Sequence, residues 1–250
     1  MKNEKAKALR YFLKDDIRQE TDFRNTKQSL GIEAPPIERP SSPEAQKISL
    51  PFPKEWTTIG AVDVKTAIAR RESRRKFKSQ PLSLEELAYL LWSTQGVREQ
   101  RHGTALRTVP SAGNRHALET YLVVFNVDGL KQGIYRYLPS VHQLVLESAP
   151  DQLKEKMTEA ALHQNLAGAG AVTFIWTTIP YRMEWRYAEA SYKVIALDAG
   201  HVCQNLYLAC ESINAGTCAI AAYNQQAADL LLKVDGDEEF VIYMAPVGKI

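Results

Sequence analysis

Cysteine is scarce in this 250-residue chain: there are three, Cys203, Cys210 and Cys218, all in the last quarter. No CxxC pair occurs, so neither a disulfide framework nor a thiol redox motif is written in. Cys203 and Cys210 stand seven apart, on one helix face, and read as small buried hydrophobes. Long apolar runs are missing as well. Nothing approaches the ~20 residues of a membrane span, and the charged start Met1–Phe12 lacks the apolar core of a secretory signal. Charge of one sign is lacking too. The net charge is +2, which gives no broad basic field for nucleic acid. Walker A, G-x-S-x-G and H-E-x-x-H are absent, and the five histidines show no metal spacing. Gly168-Ala169-Gly170-Ala171 begins like a dinucleotide fingerprint, but Thr173 stands where the third glycine belongs. The glycines also precede a strand instead of following one. These absences leave a soluble, cytoplasmic protein with no metal, no membrane and no nucleic-acid partner.

Proline is concentrated where regular structure would otherwise be expected. Pro35, Pro36, Pro40 and Pro43 fall within nine residues, and Pro51 and Pro53 come soon after. That density forbids a regular helix or an inner strand. Residues 1–60 therefore read as an extended proline-rich arm and residues 61–250 as the globular domain. In that domain Asp63 can cap a helix with Val64, Ala67 and Ile68 on one face. Ser83-Leu84-Glu85-Glu86 has capping-box spacing and opens a helix that Gly96 ends. Residues 98–109 are polar and basic without periodicity, which predicts a mobile loop. Buried strands are predicted at Tyr121–Phe125, Ala171–Thr177 and Phe240–Ala245, and a hairpin at Gly133–Leu146. Asp151 is placed as the cap of a helix to His163, and Asn224 as the cap of one to Leu232. The longest helix, Ser191–Ile213, is apolar around most of its circumference, so it is buried on most sides. Cys218–Ala222 reads as a short strand. Strands and helices mix without βαβ alternation, which favours an α+β layer fold.

One stretch carries most of the local charge. Arg70-Arg71-Glu72-Ser73-Arg74-Arg75-Lys76-Phe77 holds five cations in eight residues. In extended backbone Arg71, Ser73, Arg75 and Phe77 point one way. Two guanidinium groups and a hydroxyl then face one ligand, a set suited to phosphate. A solvated charged face satisfies the same composition. Pro110-Ser111-Ala112-Gly113-Asn114 is a bend with unpaired backbone groups, a hydroxyl and an amide. It fits an ordinary loop or the edge of a flat heterocycle equally well. His201, inside the long helix, reads as a hydrogen-bonded structural histidine.

Taken in order, Arg71-x-Ser73-x-Arg75-x-Phe77, the capped helix Ser83–Gln95 and Pro110-Ser111-Ala112-Gly113-Asn114 resemble the FMN-dependent nitroreductase family. Asp198-Ala199-Gly200-His201-x-x-Gln204-Asn205-Leu206, Gly216-Thr217-Cys218-Ala219-Ile220 and Val247-Gly248-Lys249 agree with it. The Pro-Ser-Ala-Gly form, the hairpin and the proline arm are similar to the thiazole/oxazole-forming (azoline) dehydrogenase branch. The resemblance implies an α/β/α sandwich around a mixed, mainly antiparallel sheet. It also implies an intertwined homodimer with FMN at the interface, NADH or NADPH as electron donor, and a nitro- or quinone-like small molecule as acceptor. It assigns Arg71, Ser73 and Arg75 to the flavin's phosphate and ring edge, with Lys249 reaching the phosphate. Pro110, Ser111, Ala112, Gly113 and Asn114 would meet the ring, with Ile220 and Ala221 beside it. The flavin N5 carries the chemistry, and Tyr187 is the one side chain offered as catalytic. Azoline oxidases place a Lys-Tyr pair where this chain has Arg186-Tyr187, and arginine cannot act as a base at neutral pH. The alternatives are an azoline dehydrogenase acting on a modified peptide and a flavin-binding protein without turnover.

Overall fold

Strand-forming runs and capped helices combine into three layers in the computed structural model, which describes residues 2–250. The strands are β1 (Lys47–Ser49), β2 (Val97–Arg101), β3 (Thr104–Arg107), β4 (Leu118–Val124), β5 (Gly133–Leu138), β6 (Gln143–Ser148), β7 (Val172–Thr178), β8 (Ala215–Thr217) and β9 (Phe240–Lys249). Seven of them form one sheet in the order β1-β6-β5-β4-β7-β9-β8, with every neighbouring pair antiparallel. The pair β2–β3 is a separate hairpin. Isolated parallel bridges, Ser73 to Thr217 and Leu82 to Val127, make the sheet mixed at its margins. The α-helices are α1 (Lys2–Tyr11), α2 (Ile17–Glu20), α3 (Val64–Arg70), α4 (Leu84–Gln95), α5 (Leu153–Ala160), α6 (Tyr181–Tyr187), α7 (Tyr192–Glu211) and α8 (Gln225–Leu232). Among the described residues no helix is long and apolar enough to cross a membrane.

Side-chain caps fix where several helices begin. The Asp63 carboxylate accepts from the Thr66 amide at 3.0 Å. Ser83 and Glu86 satisfy each other's amides at 3.1 and 2.9 Å, a complete capping box. Asn224 accepts from the Ala227 amide at 3.1 Å. Alternation along the strands then decides the two faces of the sheet. On one face Leu118, Leu122, Phe174 and Trp176 pack beneath α4 and α7. On the other, Tyr121, Val123, Ile175 and Met244 pack beneath α5 and α8. Burial of α7 stretches over Ile195, Ala199, Val202, Leu206 and Ala209, making it the spine of the first layer.

The second face has a polar half, and the proline segment covers it. Glu119, Arg136 and Thr177 are buried there. Arg136 donates to the carbonyls of Arg39 and Pro40 at 2.7 and 3.2 Å. Arg107 donates to the Ile37 carbonyl at 2.8 Å, Arg115 to the Pro35 carbonyl at 3.1 Å, and Trp185 to the Ile32 carbonyl at 2.9 Å. Glu119 accepts from the Arg39 amide at 2.7 Å. Most of the contacts from the sheet and α6 therefore go to backbone atoms of the segment, which lacks several amides of its own. Beyond it, β1 extends the sheet by pairing with β6.

Three local expectations are corrected and one is refined. Residues 97–107 form the β2–β3 hairpin, with Gly103 left-handed at φ 68° in its turn. Its inward residues include Arg107, so a charge occupies a core position and hides the alternation. Asp151 is not the cap of α5. Gln152 sits at that position with left-handed φ 55° and no side-chain capping bond. The Asp63-capped helix with Val64, Ala67 and Ile68 on one face forms as expected, but that face is covered only at Ala67, and Val64 and Ile68 are exposed, at 70% and 58%. Cys218–Ala222 is not a regular strand. The Ala219 amide donates to the Tyr207 hydroxyl at 2.8 Å, and only Ile220 bridges to Met244.

Candidate functional site

The cationic stretch leaves α3 in extended backbone along the free edge of β8. Ser73 bridges Thr217, and the Arg74 amide donates to the Thr217 carbonyl at 2.9 Å. Alternation then separates the side chains. Arg71 lies with its guanidinium carbon 5.4 Å from the Tyr207 ring centroid, and Ser73 Oγ lies 3.0 Å from the Tyr207 hydroxyl. Arg70 and Arg74 line a different hollow with Glu72 and Glu211, and Arg74 pairs with Glu72 at 2.5 Å. Phe77 anchors the segment against Gly248, where a Cβ would stand 2.8 Å from its own. Arg75 is exposed, with one long contact of 3.4 Å to the Ser73 carbonyl.

Tyr207, on α7, joins pieces far apart in sequence. Its ring lies under Arg71, and its hydroxyl meets Ser73 and the Ala219 amide. Neither Arg71 nor Arg75 has a carboxylate partner among the described residues. The Thr217 hydroxyl beside them is buried without a hydrogen bond. Unpaired guanidinium groups and a buried orphan hydroxyl are what a phosphate-bearing ligand would satisfy. This cluster therefore fits the phosphate and polyol end of a flavin mononucleotide.

A second cluster forms at the bend after β3. The Ala112 amide donates to the Asp198 carboxylate at 3.2 and 3.3 Å, which ties the bend to α7. Burial raises the Asp198 carboxyl above the ordinary aspartate range. Ser111 Oγ accepts from the His116 amide at 3.0 Å. His116 Nε2 meets the Ala105 carbonyl and Asn114 Oδ1 at 2.8 and 2.7 Å. Both partners accept, so Nε2 carries the proton. Burial pushes this imidazole down to about 3, and the neighbouring Arg107 adds to the shift. Gly113, Asn114 and His116 are left-handed, at φ 56°, 57° and 50°, a concentration of strained backbone in one bend. A Cβ on Gly113 would come within 2.6 Å of Arg186 and of the Tyr187 hydroxyl. Arg186 Nε donates to that hydroxyl at 3.2 Å. Pro110 and Gly113 are exposed, while Ser111, Ala112 and Asn114 are half-buried.

The two clusters do not converge within one chain. Asp198 and Tyr207 are nine residues apart on α7, roughly 13–14 Å along its axis and about half a turn around it. Lys249 joins neither. Its ammonium pairs with Glu86 and donates to the Ile213 carbonyl at 2.6 Å, on the α4–α7 side. Its assignment to the phosphate is corrected on that ground: a buried ammonium with a carboxylate partner is not free to grip an anion. Ile220 is buried in the second core and Ala221 is exposed. His201 is exposed, so the expectation of a hydrogen-bonded structural histidine is not met. Cys203 is buried, and burial raises its thiol to about 12; Cys210 is buried and raised as well. The sequence reading missed Tyr207 and Asp198 as organisers. The motif quoted through Leu206 stops one residue short of Tyr207.

The chain and its fold are similar to known proteins. The nitroreductase family profile matches residues 68–249. The Methanocaldococcus jannaschii protein MJ1384, named as a nitroreductase, is 29% identical over 191 residues, covering 76% of this chain and 93% of its own. The trifolitoxin-processing protein TfxB of Rhizobium leguminosarum bv. trifolii is 34% identical over 128 residues, covering 49% of this chain and 34% of its own. Among solved structures, one from Ralstonia eutropha JMP134 described as a nitroreductase matches with TM-score 0.68 and 25% identity, over 87% of this chain and 95% of its own. A nitroreductase-type structure from Anabaena variabilis shares the fold at TM-score 0.68 and 23% identity, but this chain spans only 43% of it. A chain of the Escherichia coli microcin synthetase McbBCD complex shares the fold at TM-score 0.61 and 16% identity, over 81% of this chain and 78% of its own. With the profile spanning most of the chain, and the α+β sandwich found in these relatives, this protein belongs to the nitroreductase family.

Proposed function

We propose that this chain binds FMN and passes electrons from NADH or NADPH to an electron-poor small molecule, nitro- or quinone-like, as a homodimer. The observation that carries this reading is the Arg71–Ser73–Tyr207–Ala219 cluster, with its unpaired guanidinium group and adjoining orphan Thr217 hydroxyl. When bound, the flavin supplies two-electron transfer. The protein's residues hold and polarise. Arg71 and Ser73 hold the phosphate end, with Arg75 swinging in from solvent. Ser111, Ala112, Gly113 and Asn114 present the ring-facing bend, which Asp198 keeps in place. Residues 61–250 form the flavin unit and residues 1–60 its arm.

The separation of the two clusters across α7 supports a site completed by a second copy. One chain brings the phosphate cluster and its partner brings the bend. Exposed Val64, Ile68 and Leu197, on α3 and α7, offer an apolar surface for that partner. Absorbance in the flavin bands of purified protein, measured again after anaerobic addition of NADH and then NADPH, tests the reading. Bound flavin that bleaches supports it. Bound flavin that neither donor bleaches makes the chain a flavin carrier, and protein that stays colourless with added FMN overturns the reading.

Azoline oxidation on a modified peptide is the second reading. The partial match to a toxin-processing protein and the fold shared with a microcin synthetase chain favour it. Tyr187 would be its catalytic side chain, with Arg186 as a hydrogen-bond donor in place of a base. Oxidation of a thiazoline peptide by oxygen without nicotinamide would select it.

A further inference from the structure

Two arginines from distant parts of the chain converge on one tyrosine. The guanidinium carbons of Arg18 and Arg186 lie 6.0 and 5.6 Å from the centroid of the Tyr187 ring. Among the described residues each arginine hydrogen-bonds only through Nε: Arg18 to Asp15 at 3.0 Å, and Arg186 to the Tyr187 hydroxyl at 3.2 Å. The terminal nitrogens of both have no hydrogen-bond acceptor among the described residues. We propose that Arg18 and Arg186 form a clamp around Tyr187 that receives an anionic group, carboxylate or phosphate, on a molecule entering the candidate site.

Several observations fix this clamp where it stands. Arg186 presses on Gly113, so the clamp adjoins the ring-facing bend. Arg18 also lies 5.9 Å from the Phe23 ring. The segment carrying it is registered on α6: Lys27 sits 4.0 Å over the Tyr181 ring, and the Gln28 amide donates to the Trp185 carbonyl at 2.9 Å. The arginine contacts to Pro35, Ile37, Arg39 and Pro40 tether the proline segment immediately C-terminal to it. Local charge favours an anion. Asp15 is shared between Arg18 and, at 4.0 Å, Lys193. Glu184 is engaged with the Tyr192 hydroxyl. Arg18 and Lys193 thus share one carboxylate, and Arg186 has no carboxylate partner among the described residues. Planar guanidinium groups with free terminal N–H pairs suit the two oxygens of a carboxylate or phosphate.

This inference rests on the flavin reading of the neighbouring bend, and its test separates the two. With NADH as donor, kcat/KM is measured for 4-nitrobenzoate and for the neutral 4-nitrobenzyl alcohol. Arg18→Gln lowers the benzoate-to-alcohol ratio about tenfold, the size of one lost charge-assisted hydrogen bond. Arg18→Lys, which keeps charge without the fork, falls between. In a second arm, a change confined to the NADPH-to-NADH ratio places the donor's ribose phosphate in the clamp. Calorimetric titration of 4-nitrobenzoate and of inorganic phosphate, with and without added FMN, reads the clamp directly. Colourless, inactive protein that still loses anion affinity on Arg18→Gln would retain the clamp and reject the flavin reading. Flavin-loaded, active protein with both ratios and both affinities unchanged on Arg18→Gln would overturn the clamp.

Discussion

Tyr207 has a ring that supports Arg71 and a hydroxyl that meets Ser73 and Ala219. The two contributions can be separated. Tyr207→Phe removes hydrogen bonds worth roughly 1–2 kcal/mol and keeps the ring. It should weaken FMN binding about tenfold, read by titration of flavin fluorescence, with Tyr207→Leu weaker still through loss of the cation–π contact. Equal affinity in all three proteins would remove Tyr207 from the site. Alternation made Arg71 and Ser73 legible from sequence as a facing pair. Tyr207 was not legible, because nothing in a helix sequence tells which strand edge will meet it. Lys249 misled for a related reason: a lysine near a glycine step suits phosphate, but Glu86 waits across the fold. His116 gives a pH test. In the folded chain it resists protonation down to about 3, against 6.5 for the free side chain. The unfolded chain binds that proton first, so stability falls as pH drops through this window, by at most roughly 4–5 kcal/mol. Asp198, raised by burial, works in the opposite sense. The difference between parent and variant therefore carries the test: His116→Gln should flatten the acid limb of the melting temperature against pH in scanning calorimetry.

Helices with side-chain caps were the best-marked elements. Asp63, Ser83 with Glu86, and Asn224 each begin a helix where their chemistry directs. The β2–β3 hairpin escaped notice because its buried partner is Arg107, whose guanidinium reaches Gln95 and the Ile37 carbonyl. Polar core positions defeat any reading based on apolar period. The same polarity makes the arm's seat sensitive. Arg136 and Glu119 are both about 2% exposed, and Arg136 also bonds Glu147 and two arm carbonyls. Arg136→Met should cost about 2–4 kcal/mol by taking the partner of Glu147 and the donors of the Arg39 and Pro40 carbonyls, while Arg182 still holds Glu119. Chemical denaturation would show that loss, and limited proteolysis would show earlier cleavage between residues 32 and 46. A variant as stable and as resistant as the parent would mean that the carbonyl contacts hold nothing.

At the scale of the whole molecule, the layered α+β plan follows from strand and helix patterning alone. The position of the candidate site does not, because its halves lie on opposite faces of α7; under the proposed reading a second copy brings them together. Ile68→Asp places a charge on an exposed apolar position of α3. The expected result is a monomer by light scattering that also loses flavin. A monomer that keeps flavin at full affinity would show that one chain completes the site.

The proline segment is gripped largely through its carbonyl oxygens, by Arg107, Arg115, Arg136 and Trp185. A receptor that reads backbone is indifferent to spelling. Along residues 32–40 only the positions whose side chains are also used are held to their identity: buried Ile37, Glu38 on the Ser140 amide, and Arg39 on Tyr121 and Glu239; the others can be exchanged widely while the chain stays extended. A single inserted residue, by contrast, would slip every carbonyl out of register with its donor.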